Sequence, residues 1–403
     1  MSGTVFVAGG AQSDFARVLS REGTSLEALV AEVGQAALQN ARIDARHVGA
    51  VHVANFVAEL STGQGHLGPL VASSIPGLEG LPAARHEGAC ASGSLAILAA
   101  SAELEAGRAD VALVLGLEQL RARPALESVA HLGAAAWVPH ETDGRRFVWP
   151  ELFAELAEYT FERTSLRREH LAALGRRAFA RAKANPLAQT RNWVLPLHAF
   201  DANDADNPLV AAPLRRHDCS QLTDGAAAVV LVSSRAAHLL PPGLHARIAG
   251  YGHRSDSLDL APKLRRGGPY VFSALRQAAV DAYARAGCDA RGVQVAEVHD
   301  CFTVSHALAL ESLGFASPGD AASLIEAMEK DSYSGPTVNA SGGLIGGGHP
   351  VGATGVKQVV ELWRQMKGKC GTYQLKTTPR IGVCGNMGGE FERREFGRAT
   401  ACA

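Results

Sequence analysis

The chain has 403 residues, more than one hydrophobic core usually serves, so two or more packed units are expected. Hydrophobic residues make up 47% and charged residues 20%, and the net charge of −1 comes with Lys and Arg spread along the chain, which sets nucleic acid aside as a partner. No apolar run reaches the length of a membrane span.

The first segment, MSGTVFVAGGAQSDF, lacks a charged leader and a long apolar stretch, so it reads as a strand from Thr4 to Ala8 ending in a glycine turn, not as a secretory signal. A helix begun near Ser25 closes through Asn40 to Val48, and the strand Ala50 to Ala54 follows. A helix begun near Val271 closes through Arg285 to Val293, and the strand Val295 to Val298 follows. Both closures carry Asp-Ala-Arg, at Asp44 and at Asp289. A second pairing keeps the same order. Gly88-Ala89-Cys90 opens an Ala/Leu-rich helix before the strand Val111 to Leu115, and Gly347-Gly348-His349-Pro350 opens the helix Ala353 to Met366 before the strand Arg380 to Val383. These pairings predict a duplicated α/β unit.

The region 121–207 differs in texture, richer in Arg, Glu and Trp, with helical patches at Glu151 to Phe161 and Arg168 to Lys183. It reads as an inserted, mostly helical lobe. The first half then spans 1–120, continued by 208–246, and the second half spans 247–403. The run Asp218 to Leu231 is expected to return to a buried helix and strand. Seven cysteines without any C-x-x-C fit reduced thiols of a cytosolic protein better than a disulfide framework or a zinc site. The closing Ala-Cys-Ala is not a peroxisomal address.

Four loops carry candidate chemistry. Cys90 lies among small residues before a helix, whose N-terminal dipole favours a thiolate. A lone cysteine is as readily a small core residue, and the residues alone leave both readings open. His349 lies in a run of glycines that admits close approach of backbone to a ligand, and a neutral imidazole there could deprotonate a thiol or donate to an oxyanion. Pro350 and Val351 spoil a dinucleotide fingerprint at this point, and no G-K-[ST] marks a phosphate loop. His299 and Cys301, two apart at a strand end, point the same way and suit a donor and an acid/base in one cavity; a locally satisfied strand end is the rival reading. Cys384 enters the glycine turn Gly385 to Gly389 and is either a second thiol acid/base or inert.

Together these loops resemble the thiolase superfamily along nearly the whole chain. The resemblance includes Gly116-Leu117-Glu118, the stretch Thr223-Asp224-Gly225-Ala226-Ala227, and the string His299-Asp300-Cys301-Phe302, which is similar to the sterol-carrier-type and archaeal-like members. It implies two α/β halves layered α-β-α-β-α beneath the inserted lobe. It also implies a ping-pong acyl transfer in which Cys90, deprotonated with help from His349, attacks a 3-ketoacyl-CoA. His299 and His349 would then donate to the acetyl-CoA enolate. Backbone N–H groups of Cys90 and of the Cys384–Asn386 turn would hold the tetrahedral intermediate, and Cys301 would exchange a proton with the acetyl carbon.

Coenzyme A is implied as substrate, beside Gly347, Gly348 and Gly388, with no metal or resident cofactor. The implied assembly is a homodimer or homotetramer, in some relatives joined by an OB-fold, zinc-ribbon protein. Those partnered relatives that became steroid side-chain aldolases lose the nucleophilic cysteine, which Cys90 argues against here. The chain departs from the common C-x-G-G-G loop by carrying Asn386 and Met387 in its third and fourth places, so Cys384 is left as a helper in proton transfer or a bystander. Lys183 and Asn185 stand where relatives often carry a histidine. The alternatives are a condensing enzyme with another acyl acceptor, an enzyme active only in a complex, and a non-catalytic lipid-binding subunit.

Overall fold

The structure is a computed structural model that describes residues 3–330 and 333–388, together with the backbone of 398–402. In chain order the first half supplies β1 (Val5–Gln12), α1 (Leu26–Ala41), β2 (Ala50–Ala54), α2 (Leu67–Ser74), β3 (Ala83–His86), α3 (Ser92–Glu105) and β4 (Val111–Gln119). The lobe supplies α4 (Ala125–Leu132), α5 (Val148–Arg163) and α6 (Arg168–Ala182), and β5 (Asp224–Ser233) completes the first half. The second half supplies β6 (Ala246–Tyr251), α7 (Ser273–Ala286), β7 (Val295–Glu297), α8 (Thr303–Ser312), α9 (Ala321–Met328), β8 (Thr337–Val338), α10 (Thr354–Met366), β9 (Gly382–Asn386) and β10 (Arg398–Cys402).

The strands run in the order β8-β7-β9-β10-β6-β1-β5-β4-β2-β3. From the β3 edge inward the pairings are parallel, parallel, antiparallel, antiparallel; from the β8 edge inward they are the same. This repeated pattern is the duplication expected from the sequence. The repeated Asp-Ala-Arg has a local cause. Asp44 accepts from Arg46 N and Asp289 from Arg291 N, each at 3.0 Å, so each caps a short 3₁₀ turn between helix and strand. The preceding helices both end on a left-handed residue, Arg42 at φ 55° and Gly287 at φ 68°.

The layers run helix, sheet, helix, sheet, helix. Along β5, Ala226, Ala228, Val230 and Val232 pack outward with α1, while Ala227, Val229 and Leu231 pack inward with α3 and α10. Burial on both faces explains why this strand is an unbroken apolar run. It also corrects the expected helix: between Asp218 and Leu231 the chain forms a strand, preceded only by the 3₁₀ turn Arg216–Asp218. The expected glycine turn after Ala8 is likewise absent. β1 continues to Gln12 with a register shift between Val7 and Gly9, and Gly9 is required because a side chain there would strike the backbone of Asn40 and Ala41 at the end of α1. The lobe rests on the second half, where Leu152, Leu156 and Leu171 share one apolar cluster with Leu308, Leu310 and Ile325. The chain rejoins the sheet at Asp224 after a small hairpin of Leu209–Ala211 with Leu214–Arg215. Among the described residues, no helix is long and apolar enough to cross a membrane.

Candidate active site

The two middle helices meet near their N-termini. A side chain at Gly93 of α3 would lie 2.7 Å from Val356 N and 2.8 Å from Gly355 N of α10, so only hydrogen permits this crossing. Each helix is entered through a 3₁₀ turn, Ala89–Ala91 and Val351–Ala353, and the crossing brings the Cys90 turn and the His349 loop together. Ala89 takes φ 47°, a conformation unfavourable for an L side chain, directly before Cys90. Glu118 at the end of β4 ties the loops: its Oε1 accepts from Asn55 Nδ2 and Val57 N, and its Oε2 from Phe56 N and Gly352 N.

His349 is held at both ends. Its backbone N donates to Thr223 Oγ1 at 2.8 Å, and its Nδ1 lies 2.7 Å from Thr354 Oγ1. The Thr354 hydroxyl donates its single proton to Pro350 O, so it receives the Nδ1 proton and leaves Nε2 of His349 as the acceptor. His299 has the opposite polarity. Asn386 Nδ2 lies 3.0 Å from its Nδ1, while Asn386 Oδ1 accepts from Ser94 Oγ, so Nδ1 accepts and Nε2 carries the proton. Burial drives the His299 pKa well below its usual value, with the neighbouring His349 adding to the shift; burial and the charge of Lys357 lower that of His349 to about 3. Both imidazoles are neutral at physiological pH. Cys90 Sγ and a ring nitrogen from each histidine all lie within 4.8 Å of one another.

These three residues and Cys301 line one cavity of about 290 Å³. Cys301 is buried, with its Sγ 3.6 Å from Ser305 Oγ. Cys384 is elsewhere. It is 1% exposed in the central apolar layer with Ala96, Val356 and Val359, and it is absent from the cavity wall. The expected turn at Cys384–Asn386 is the strand β9, and the chain leaves it at Met387, which does line the cavity. Gly347, Gly348 and Gly388 are buried and approached by protein rather than by open space. A side chain at Gly347 would strike Gly343 O and one at Gly388 would strike Gly88 O. Asn185 is buried and donates to Ser341 O, so its amide serves the loop before His349.

Sequence reasoning missed Asn386 as the partner of His299, Thr223 and Thr354 as supports of His349, and Cys219, a third cysteine of the cavity wall. The displaced C-x-G-G-G pattern was the available signal for Asn386. Thr223 is read only as part of the stretch Thr223 to Ala227, and nothing local in the sequence marks Thr354 or Cys219.

Residues 5–235 match the family described as Thiolase, N-terminal domain, and residues 262–395 match Thiolase C-terminal domain-like. The Acetyl-CoA acetyltransferase of Methanocaldococcus jannaschii is 31% identical over 393 residues, covering 96% of this chain and 96% of that protein. Sterol carrier protein 2 of Homo sapiens is 27% identical over 397 residues, covering 92% of this chain and 67% of that protein. Among solved structures, a chain of the Ltp2-ChsH2(DUF35) aldolase has a similar fold, with a TM-score of 0.79 at 20% identity, covering 99% of this chain and 97% of that one. The relatives include both kinds that the His299-Asp300-Cys301-Phe302 string resembles, and the fold has the duplicated halves that the resemblance implies. On these grounds the chain belongs to the thiolase family.

Proposed function

We propose that this protein is a CoA-dependent thiolase that cleaves 3-ketoacyl-CoA, or condenses acyl-CoAs in reverse, through an acyl-Cys90 thioester. The observation that carries the reading is the convergence of Cys90 Sγ with one nitrogen each of His299 and His349 inside 4.8 Å, at a cavity wall that also holds Cys301. In the thiolytic direction His349 Nε2 takes the Cys90 proton and the thiolate adds to the 3-keto carbon. The bond between C2 and C3 then breaks, leaving the acyl group on sulfur. The electron pair passes to the departing acetyl-CoA as an enolate, whose oxygen receives hydrogen bonds from His299 Nε2–H and the newly protonated His349. The Cys301 thiol protonates the enolate carbon. A second CoA thiol passes its proton to the Cys301 thiolate and displaces the acyl group, and His349 returns its proton to the Cys90 sulfur.

The reading extends to a homodimer or homotetramer in the cytoplasm. Cys90, Cys219, Cys288, Cys301, Cys370 and Cys384 are thiols, in keeping with a reducing compartment. The test is intact-protein mass after incubation with acetyl-CoA, on wild type and Cys90→Ala in parallel. A gain of one acetyl group in wild type alone is expected. A gain that persists in Cys90→Ala overturns the assignment of the nucleophile. Acylation that appears only after addition of an OB-fold, zinc-ribbon partner would place the same chemistry in a complex.

A further inference from the structure

Five aromatic side chains, Phe56, Phe147, Trp149, Phe153 and Phe302, line the cavity that holds Cys90. They come from the loop after β2, from the entry and first turns of α5, and from the residue that follows Cys301. Three of these rings are held by contacts to one another or to backbone. Phe153 stacks on Phe302 with ring centroids 4.2 Å apart and planes at 27°, and Trp149 packs on Phe153 at 6.4 Å. The Trp149 indole N–H donates to Leu132 O at 2.8 Å, which pins the ring. Phe153 and Phe302 are buried, whereas Phe56, Phe147 and Trp149 remain partly open. Apolar ring surface left open within a cavity gains by being covered with a ligand of matching shape.

Size narrows the ligand. An apolar cavity of about 150 Å³ admits benzene, and the volume here is about 290 Å³. A two-carbon acyl group on Cys90 would leave most of the aromatic wall uncovered. A flat ring joined to the thioester by a short link would fill it, gain offset or edge-on ring contacts, and lose less rotational freedom than a straight chain of equal bulk. We infer that the acyl group carried by Cys90 bears a ring, of the arylacetyl or similar cyclic class. The inference rests on the thiolase reading above. The acylation balances as transfer from one sulfur to another. The thioester bond to CoA breaks as the bond to Cys90 Sγ forms, and the Cys90 proton passes through His349 to the departing CoA thiolate.

The experiment offers wild-type protein an equimolar mixture of acetyl-CoA, octanoyl-CoA and phenylacetyl-CoA and reads the adducts by intact mass at early times. The phenylacetyl adduct is expected to exceed each of the others by about tenfold, the discrimination that one or two ring contacts supply. Trp149→Ala should lower the phenylacetyl-to-octanoyl ratio by a similar factor. Ala135→Phe, which fills the cavity instead of emptying it, should lower the same ratio if the alanine variant does not fold. An octanoyl or acetyl adduct that dominates in wild type overturns the inference while leaving the thiolase reading intact. If no thioester labels folded wild type, either alone or with an OB-fold, zinc-ribbon partner added, the thiolase reading fails. Calorimetric binding to Cys90→Ala then decides the cavity's preference: tighter phenylacetyl-CoA than octanoyl-CoA supports a ring-binding cavity, and equal or weaker binding overturns it.

Discussion

The side-chain amide of Asn386 donates from Nδ2 to His299 Nδ1 at 3.0 Å while its oxygen is held by Ser94. The bond sets which imidazole nitrogen carries the proton, and so gives His299 the Nε2–H that the proposed reaction uses as a donor toward the thioester oxygen. Asn386→Asp presents only acceptors to Nδ1, draws the proton to that side and leaves a lone pair on Nε2. Turnover is expected to fall by about 10²-fold, the usual cost of one lost oxyanion donor. Imidazole ¹⁵N shifts should report the exchanged tautomer. Unchanged turnover with an exchanged tautomer would remove His299 from the oxyanion site.

The two thiols near the strand ends separate by location. Cys301 lines the cavity, and Cys384 lies in the central apolar layer. Cys301→Ala is expected to acylate Cys90 normally yet lose about 10²- to 10⁴-fold in carbon–carbon bond turnover, the range for one general acid–base. Cys384→Ala is expected to keep turnover and lose about 1 kcal/mol of stability, as a small buried truncation does. Single-turnover acylation, steady-state thiolysis and denaturant unfolding of both variants check this, and the reversed pattern assigns proton transfer to Cys384.

Glu118 is a structural tie between the halves. Each of its oxygens accepts two N–H donors, and Gly352 N comes from the loop that follows His349. Glu118→Gln keeps shape but turns an amide N–H₂ toward two N–H groups in a site with no water access. A loss of roughly 1–3 kcal/mol in stability is expected from the unpaired buried donors. Denaturant midpoints measure it, and a midpoint equal to wild type would show that the loop does not depend on the carboxylate.

Much of this arrangement is legible in the sequence. The Asp44 and Asp289 repeats revealed the duplication because a capped 3₁₀ turn needs an acceptor at one fixed place. Cys90, His299, Cys301 and His349 stand out as candidates because their loops are small, glycine-rich or sharply patterned, and only the resemblance to the thiolase superfamily gives them roles. What sequence did not show depends on tertiary approach. Gly9 looked like a turn residue, yet its lack of a side chain serves the packing of α1. Thr223 and Thr354 support His349 from 126 and 5 residues away, and neither distance has a local signature. In the run Asp218 to Leu231 a strand is expected beside a helix, and the helix is misread because burial on both faces removes the alternation by which strands are recognised.

Behind the site, His306 on α8 is buried, and neither ring nitrogen has a hydrogen-bond partner among the described residues; its Nδ1 is 3.9 Å from Asp300 Oδ2. Burial lowers its pKa to about 3, with Arg181 and Arg177 pushing the same way. The folded pKa is thus depressed below the ordinary 6.5. As pH falls through 6.5 the unfolded chain takes up this proton and the native chain does not, so stability is lost progressively toward pH 3. Between pH 7 and pH 5 this one group costs roughly 2 kcal/mol. His306→Leu removes the titration while keeping an apolar side chain in place. The variant is expected to lose roughly 2 kcal/mol less than wild type over that interval, whatever its stability at pH 7. Urea unfolding of both proteins at pH 7 and pH 5 measures the difference. Parallel losses would mean that the native state takes up the His306 proton as readily as the unfolded chain, and the buried neutral imidazole would have to be abandoned.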